Sequence, residues 1–132
     1  MAGLIERMTP EGTMKPIGPY NHISIGGGLV VIGGVAGVNP QTGELAGSDV
    51  TSQTRQILAA FETMLASAGS DISRILRITV YLKDMADFDE MNAAYAEALA
   101  PDYPSRTAVA VSDLPKSDAK LTMDLIALSA DK

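Results

Sequence analysis

Between Arg74 and Lys83 the chain alternates like an extended strand, yet apolar side chains fall on both of its faces. Leu76, Ile78, Val80 and Leu82 share one side, and Ile75, Arg77, Thr79 and Tyr81 share the other. Such a strand needs full cover on one face and partial cover on the other. Helical periodicity flanks it. Val50, Ile57, Leu58, Phe61, Met64, Leu65 and Ala68 recur at helical spacings, while Arg55, Gln56, Glu62 and Thr63 fall elsewhere, which predicts a helix from Val50 to Ala68. Gly69 is placed to end it in a left-handed cap. A second helix is predicted over Ala86–Ala100, with Phe88, Met91, Ala94, Tyr95, Ala98 and Leu99 on its buried stripe and Asp87 near its positive end. Two helices can cover one face of a sheet; another copy of the chain is the expected cover for the other.

The remaining segments read as strands and turns. Leu4–Met8 is a short first strand ended by Thr9-Pro10-Glu11-Gly12, and the two prolines and the glycine of Lys15-Pro16-Ile17-Gly18-Pro19-Tyr20 make a stiff loop. His22–Ile25 and Leu29–Ile32 flank Gly26-Gly27-Gly28, a hairpin pattern. Two strands, Arg106–Val111 and Lys120–Leu128, finish the chain. Strands first, then strand and helix alternating, then two strands in succession imply an α+β fold, with both helices on one face of the sheet. There is no internal repeat or linker, and 132 residues fit a single domain over 1–132, able to bury about two thirds of its unfolded surface.

Composition narrows the function classes. There is no cysteine, which excludes disulfides, thiolate metal sites and cysteine nucleophiles. The net charge is -6, with ten scattered basic residues and no stripe that would follow a phosphate backbone, so no nucleic-acid partner is expected. No apolar run reaches membrane-spanning length and the start lacks a signal-peptide core, so a cytoplasmic protein without a membrane partner is expected. With 46% hydrophobic against 20% charged residues, part of the apolar surplus is available for a subunit interface.

Few residues could carry chemistry. Arg106 stands in Tyr103-Pro104-Ser105-Arg106-Thr107, where Pro104 favours extended chain and Thr107–Val111 reads as a buried strand. A permanent cation entering a core wants an anion, either an acid of this chain or a ligand carboxylate. Asp124 lies in Leu121-Thr122-Met123-Asp124-Leu125-Ile126, where an acid must be paired, hydrogen-bonded or raised in pKa. Either it pairs with Arg77 or Arg106 in a structural bridge, or Arg106 and Asp124 face one cleft, the arginine clamping a carboxylate and the aspartate handling water. Gly33 and Gly34 leave room at a strand end for another chain or a small ligand, because no helix or lysine follows to make a phosphate loop. Tyr20, on the rigid loop, and Asn92, on the second helix, are the other polar candidates. The single histidine, His22, reads as a surface or hairpin residue; alone it builds neither a triad nor a metal site.

Over nearly its whole length the chain resembles the reactive intermediate deaminases, the YjgF/YER057c/UK114 family. The resemblance rests on Ile17-Gly18-Pro19-Tyr20, on Gly33-Gly34 followed by Val38-Asn39-Pro40-Gln41-Thr42-Gly43, and on Thr79-Val80-Tyr81-Leu82-Lys83-Asp84-Met85-Ala86-Asp87-Phe88 with Met91-Asn92. Its strongest part is Tyr103-Pro104-Ser105-Arg106-Thr107-Ala108-Val109 with Leu114-Pro115-Lys116 and Asp124-Leu125-Ile126-Ala127. It implies a chorismate-mutase-like mixed sheet with two helices, assembled as a homotrimer with clefts between subunits. It also implies cofactor-independent hydrolysis of 2-imino acids and their enamine tautomers to 2-oxo acids and ammonia. Arg106 matches the residue that binds the substrate carboxylate, Asp124 a position where glutamate commonly positions water, and Tyr20, Gly33, Gly34, Asn92 and Ala108 match positions of the cleft. Gly33 stands where many active members carry serine, Asp124 is one methylene shorter than glutamate, and Ala108 replaces a frequent cysteine. These departures leave open a wider cleft, a different imine, weak activity, or a small-molecule-binding or chaperone-like trimer. The ribonuclease or translation-inhibitor activity ascribed to some members is opposed by the charge of -6 and the lack of a basic stripe.

Overall fold

The computed structural model describes residues 4–129. Six strands, β1 (Glu6–Met8), β2 (Ile23–Gly26), β3 (Leu29–Ala36), β4 (Ile75–Leu82), β5 (Ser105–Ala110) and β6 (Leu121–Leu128), form one sheet in the order β1-β2-β3-β6-β4-β5. All neighbours are antiparallel except β4 and β5, which run parallel because α2 (Phe88–Leu99) crosses between them. The other helix, α1 (Val50–Ser67), packs beside it on the same face. Ile57, Phe61, Met64 and Leu65 of α1 and Met91 of α2 meet Ile23, Ile32, Ile78, Leu82, Met123 and Leu125 of the sheet in one core. The expected α+β sheet with both helices on one face is therefore present.

Local chemistry explains the boundaries. Gly27 and Gly28 both take positive φ, 59° and 81°, the pattern of a two-residue hairpin turn whose twist suits the strands it joins. The Asp49 side chain accepts the Ser52 backbone N–H to start α1, and Gly69, at φ 75°, follows its end as expected. Leu4 and Ile5 lie outside β1 and are exposed, so the first strand is shorter than predicted.

Several expectations need correction. Simple alternation fails at the start of β4: Ile75 pairs with Ala127 and Arg77 with Ile126, so Leu76 is an extra, bulged residue. Ile75 is consequently buried, while Leu76 is 46% exposed. β5 is an edge strand, half exposed in the protomer, where a buried strand was expected, since no strand among the described residues pairs with it beyond β4. His22 is buried, not a surface residue; its Nε2 lies 2.7 Å from the Met14 carbonyl, tying the loop before β2 to the hairpin.

The sheet face away from the helices carries Leu29, Val31, Val109, Ile126 and Leu128, each between 37% and 42% exposed, and no element among the described residues covers it. Interleaved with them are Arg77, Thr79, Tyr81, Thr122 and Asp124, placed on that face by the register of β3, β6 and β4. No helix among the described residues is long and apolar enough to cross a membrane.

Candidate functional site

Arg106 is the second residue of β5 and is level with Ile78 of β4, whose side chain is in the core; the pleat thus sends Arg106 toward the helices. At this edge it reaches the flank of α2. Its guanidinium lies 4.8 Å from the centre of the Tyr95 ring and 5.7 Å from that of Phe88, and Nη1 donates to Asn92 Oδ1 at 2.7 Å. The residues are spaced along α2 so that Phe88, Asn92 and Tyr95 line one side of it, at intervals of four and three. No carboxylate among the described residues pairs with Arg106. The salt bridge open to it on sequence grounds is not made. Nη1 also reaches Met91 Sδ at 3.9 Å, while Nε and Nη2 have no partner among the described residues; a guanidinium stacked on two rings and tethered at one nitrogen, with the other two free, is organised for a planar anion. Burial and the neighbouring Arg106 charge act oppositely on the Tyr95 phenol; burial dominates and raises its pKa. Ala108 follows two residues along on the same face and packs partly against the core.

Asp124 belongs to the other face. It is level with Thr79, and its Oδ2 accepts a hydrogen bond from the Tyr81 hydroxyl at 2.8 Å. Neither Arg77 nor Arg106 pairs with it: Arg77 Nη2 instead donates to Thr107 Oγ1 at 2.7 Å. On the side of β3 the register skips, Ile32 facing Leu125 and Val35 facing Met123, so that Gly33 and Gly34 together oppose the single residue Asp124. A Cβ built on either glycine meets no atom within 4 Å. The bulge therefore leaves the carboxylate bordered by open space.

The same two glycines line a cavity of about 520 Å³, with Met14, Ile17, Tyr20 and Thr122 among others. Tyr20 is held at its mouth, its hydroxyl accepting the Ile17 N–H at 3.2 Å and its ring edge-on to His22 with centroids 5.8 Å apart. A wider groove of about 930 Å³ beside Lys83, Lys116 and Lys120 is also lined by Glu44, Asp84 and Asp118, and holds none of the candidate residues. Its mixed charge gives no preference for an anion, and the smaller cavity is the more selective environment.

The structure thus gathers the sequence candidates into two groups. Tyr20, Gly33 and Gly34 line the cavity, with Asp124 across the bulge from the two glycines, and Arg106, Asn92 and Ala108 lie on the opposite face of the sheet. In one copy of the chain Arg106 and Asp124 do not share a cleft, because β4 stands between their strands and the two residues point to different sides. Sequence reasoning missed Tyr81 as the partner of Asp124 and Phe88 and Tyr95 as the platform of Arg106. The helical stripe contained the last two, but nothing in the sequence pairs them with β5.

The family model of endoribonuclease L-PSP matches residues 11–129. A RutC family protein of Pyrococcus horikoshii is 42% identical over 117 residues, covering 89% of this chain and 92% of its own. Reactive intermediate deaminase A of the Arabidopsis thaliana chloroplast is 33% identical over 122 residues, covering 92% of this chain and 65% of its own. Among solved structures, Escherichia coli TdcF with bound serine superposes with a TM-score of 0.85 at 32% identity, covering 93% of this chain and 98% of the other.

Proposed function

Given that the chain belongs to the endoribonuclease L-PSP family, which includes the reactive intermediate deaminases, we propose that it hydrolyses 2-imino acids to 2-oxo acids and ammonia in a site shared between two copies of the chain. The observation that carries this reading is the Arg106 guanidinium, stacked, tethered to Asn92 and without a carboxylate partner among the described residues. The serine held by TdcF, an α-amino acid with the same α-carboxylate, is consistent with such a clamp.

Arg106 of one copy binds the substrate carboxylate through two parallel N–H donors, fixing the imine carbon in place. Tyr20, Gly33, Gly34 and Asp124 of a second copy face that carbon. The protonated imine is electrophilic; Asp124 accepts a proton from water as its oxygen bonds to the imine carbon, giving a carbinolamine. That proton returns to the nitrogen, the C–N bond breaks, and ammonia leaves as the hydroxyl loses its proton to give the 2-oxo acid. No redox change occurs, and atoms balance as imine plus water. The exposed apolar sheet face supports assembly into a homotrimer, whose closed symmetry repeats one such interface three times.

The ribonuclease activity in the family's name is the less supported reading. The net charge is -6, and the single histidine is buried with Nε2 engaged by the Met14 carbonyl, where it cannot serve as a general base for RNA.

The test is the loss of 2-iminopropanoate, generated in place by an amino-acid oxidase and trapped with semicarbazide. Wild type should accelerate its hydrolysis, and Arg106→Ala, with unchanged circular dichroism, should lower kcat/KM by about 10- to 150-fold, the value of a hydrogen-bonded charge. Equal rates with and without wild-type protein, for this and for longer-chain imines, would overturn the reading.

A further inference from the structure

The Asp124 carboxylate is held at one end only. Tyr81 is level with Thr122 on β6, two residues from Asp124, so the two side chains are diagonal neighbours on the open face, at a separation of roughly 7–8 Å between backbones that an aromatic side chain can span. The phenol makes up that distance and donates to Oδ2 at 2.8 Å. Nothing on the β3 side competes, since the two residues opposite Asp124 there are Gly33 and Gly34. Oδ1 has no donor among the described residues.

Resting on the imine-hydrolase reading, we propose that Tyr81 is the positioning residue of the site: its hydroxyl pins Asp124 Oδ2 and turns Oδ1 toward the Gly33–Gly34 bulge, where the attacking water is held.

The residue types suit this task. An aspartate has a shorter reach than a glutamate and, on a strand bordered by two glycines, has no side chain on that flank to fix its rotamer. A donor on the other flank must supply the orientation. A lysine or arginine there would form an ion pair and draw the carboxylate's charge to itself, weakening it as a proton acceptor. A phenol orients it through one neutral hydrogen bond. The nearest cation on this face of β4, Arg77, is turned to the Thr107 hydroxyl and leaves Asp124 to Tyr81. The phenol also keeps its proton: the hydrogen bond to Asp124, then burial, then the aspartate's charge all raise its pKa above the ordinary tyrosine value.

The test is a cycle of Tyr81→Phe, Asp124→Asn and the double variant, in the assembled protein, followed by steady-state imine hydrolysis. Tyr81→Phe should lower kcat by about 10-fold with KM altered less than about 2-fold, because the lost bond orients the water and leaves the carboxylate clamp intact. In the Asp124→Asn background the same change should have no further effect on the residual rate. An active wild type with Tyr81→Phe equally fast, or a loss of the same size in both backgrounds, would overturn the role of Tyr81 and leave the imine-hydrolase reading standing. A wild type inactive on every imine would overturn both. As a readout independent of turnover, the ¹³C carboxyl resonance of Asp124 should move in Tyr81→Phe; an unmoved resonance would refute the bond itself.

Discussion

Arg106 and Asp124 lie on opposite faces of one sheet: the first is level with Ile78 of the central strand β4 and the second with Thr79, one residue further on. Because alternate residues of a strand point to opposite sides, this offset of one separates the two by the thickness of the sheet. A site that uses both must draw them from two copies of the chain.

Subunit mixing tests this directly. Arg106→Ala and Asp124→Asn proteins, each nearly inactive alone, should regain activity when co-expressed, because some interfaces then join a native Arg106 to a native Asp124. Random assembly of equal amounts should restore about a quarter of the wild-type sites. Activity no greater than the sum of the two parents would place both residues in one protomer's site and reject the shared cleft.

Asn92 should act on binding more than on chemistry. It holds Arg106 Nη1 at 2.7 Å and lies on the other side of the sheet from the Asp124 carboxylate. Asn92→Ala should therefore raise KM for 2-iminopropanoate by about 5-fold while kcat stays within about 2-fold, as expected when an interaction is used equally in ground and transition states. A fall in kcat at unchanged KM would show that Asn92 acts on the reacting atoms instead.

Much of this architecture is legible in the sequence because the signals are local. The stripe from Val50 to Leu65, the glycine turn at Gly27-Gly28 and the alternation of β6 each follow from neighbouring residues. What escapes is what depends on pairing. The sequence gives no hint that β6 inserts between β3 and β4, and so none that Tyr81 meets Asp124 or that Arg106 turns away from it. The two bulges are illegible for the same reason: Leu76 continues the apolar alternation of β4, and only the partner strand shows that it is one residue too many. His22 misleads because its burial depends on Met14, eight residues earlier in a loop without regular structure.

Two glycines of one segment should respond differently to the same substitution. A Cβ at Gly37 would lie 2.5 Å from the Gln53 carbonyl oxygen and 2.7 Å from its Cα, and Gln53 is itself fixed by bonds to the Gly47 carbonyl and the Lys120 N–H. Neither side can yield, so Gly37→Ala should destabilise the protein by about 1–3 kcal/mol. Gly33 meets no atom within 4 Å of such a carbon, and Gly33→Ala should change stability by less than about 0.5 kcal/mol. Urea unfolding of both variants decides it, and equal losses would show that the space beside Gly33 is filled in the folded protein.

Acid stability should trace to carboxylates that accept backbone hydrogen bonds. The Ser52 backbone N–H, followed by the Ser52 side chain, holds the pKa of Asp49 below its ordinary value of 3.8, and the Leu114 N–H followed by Lys83 does the same for Asp113. A carboxyl whose folded pKa is depressed contributes stability that is complete above its unfolded pKa and is lost as pH falls through the folded one. The melting temperature of wild type should therefore be flat above about pH 5 and fall below about pH 4. Asparagine caps a helix nearly as well as aspartate but does not titrate, so Asp49→Asn should match wild type on the plateau and decline less steeply in acid. Parallel acid limbs for the two proteins would exclude the Asp49 cap as a source of the pH dependence, and a lower plateau for Asp49→Asn would show that the carboxylate's charge, not only its hydrogen bond to Ser52, holds the start of α1.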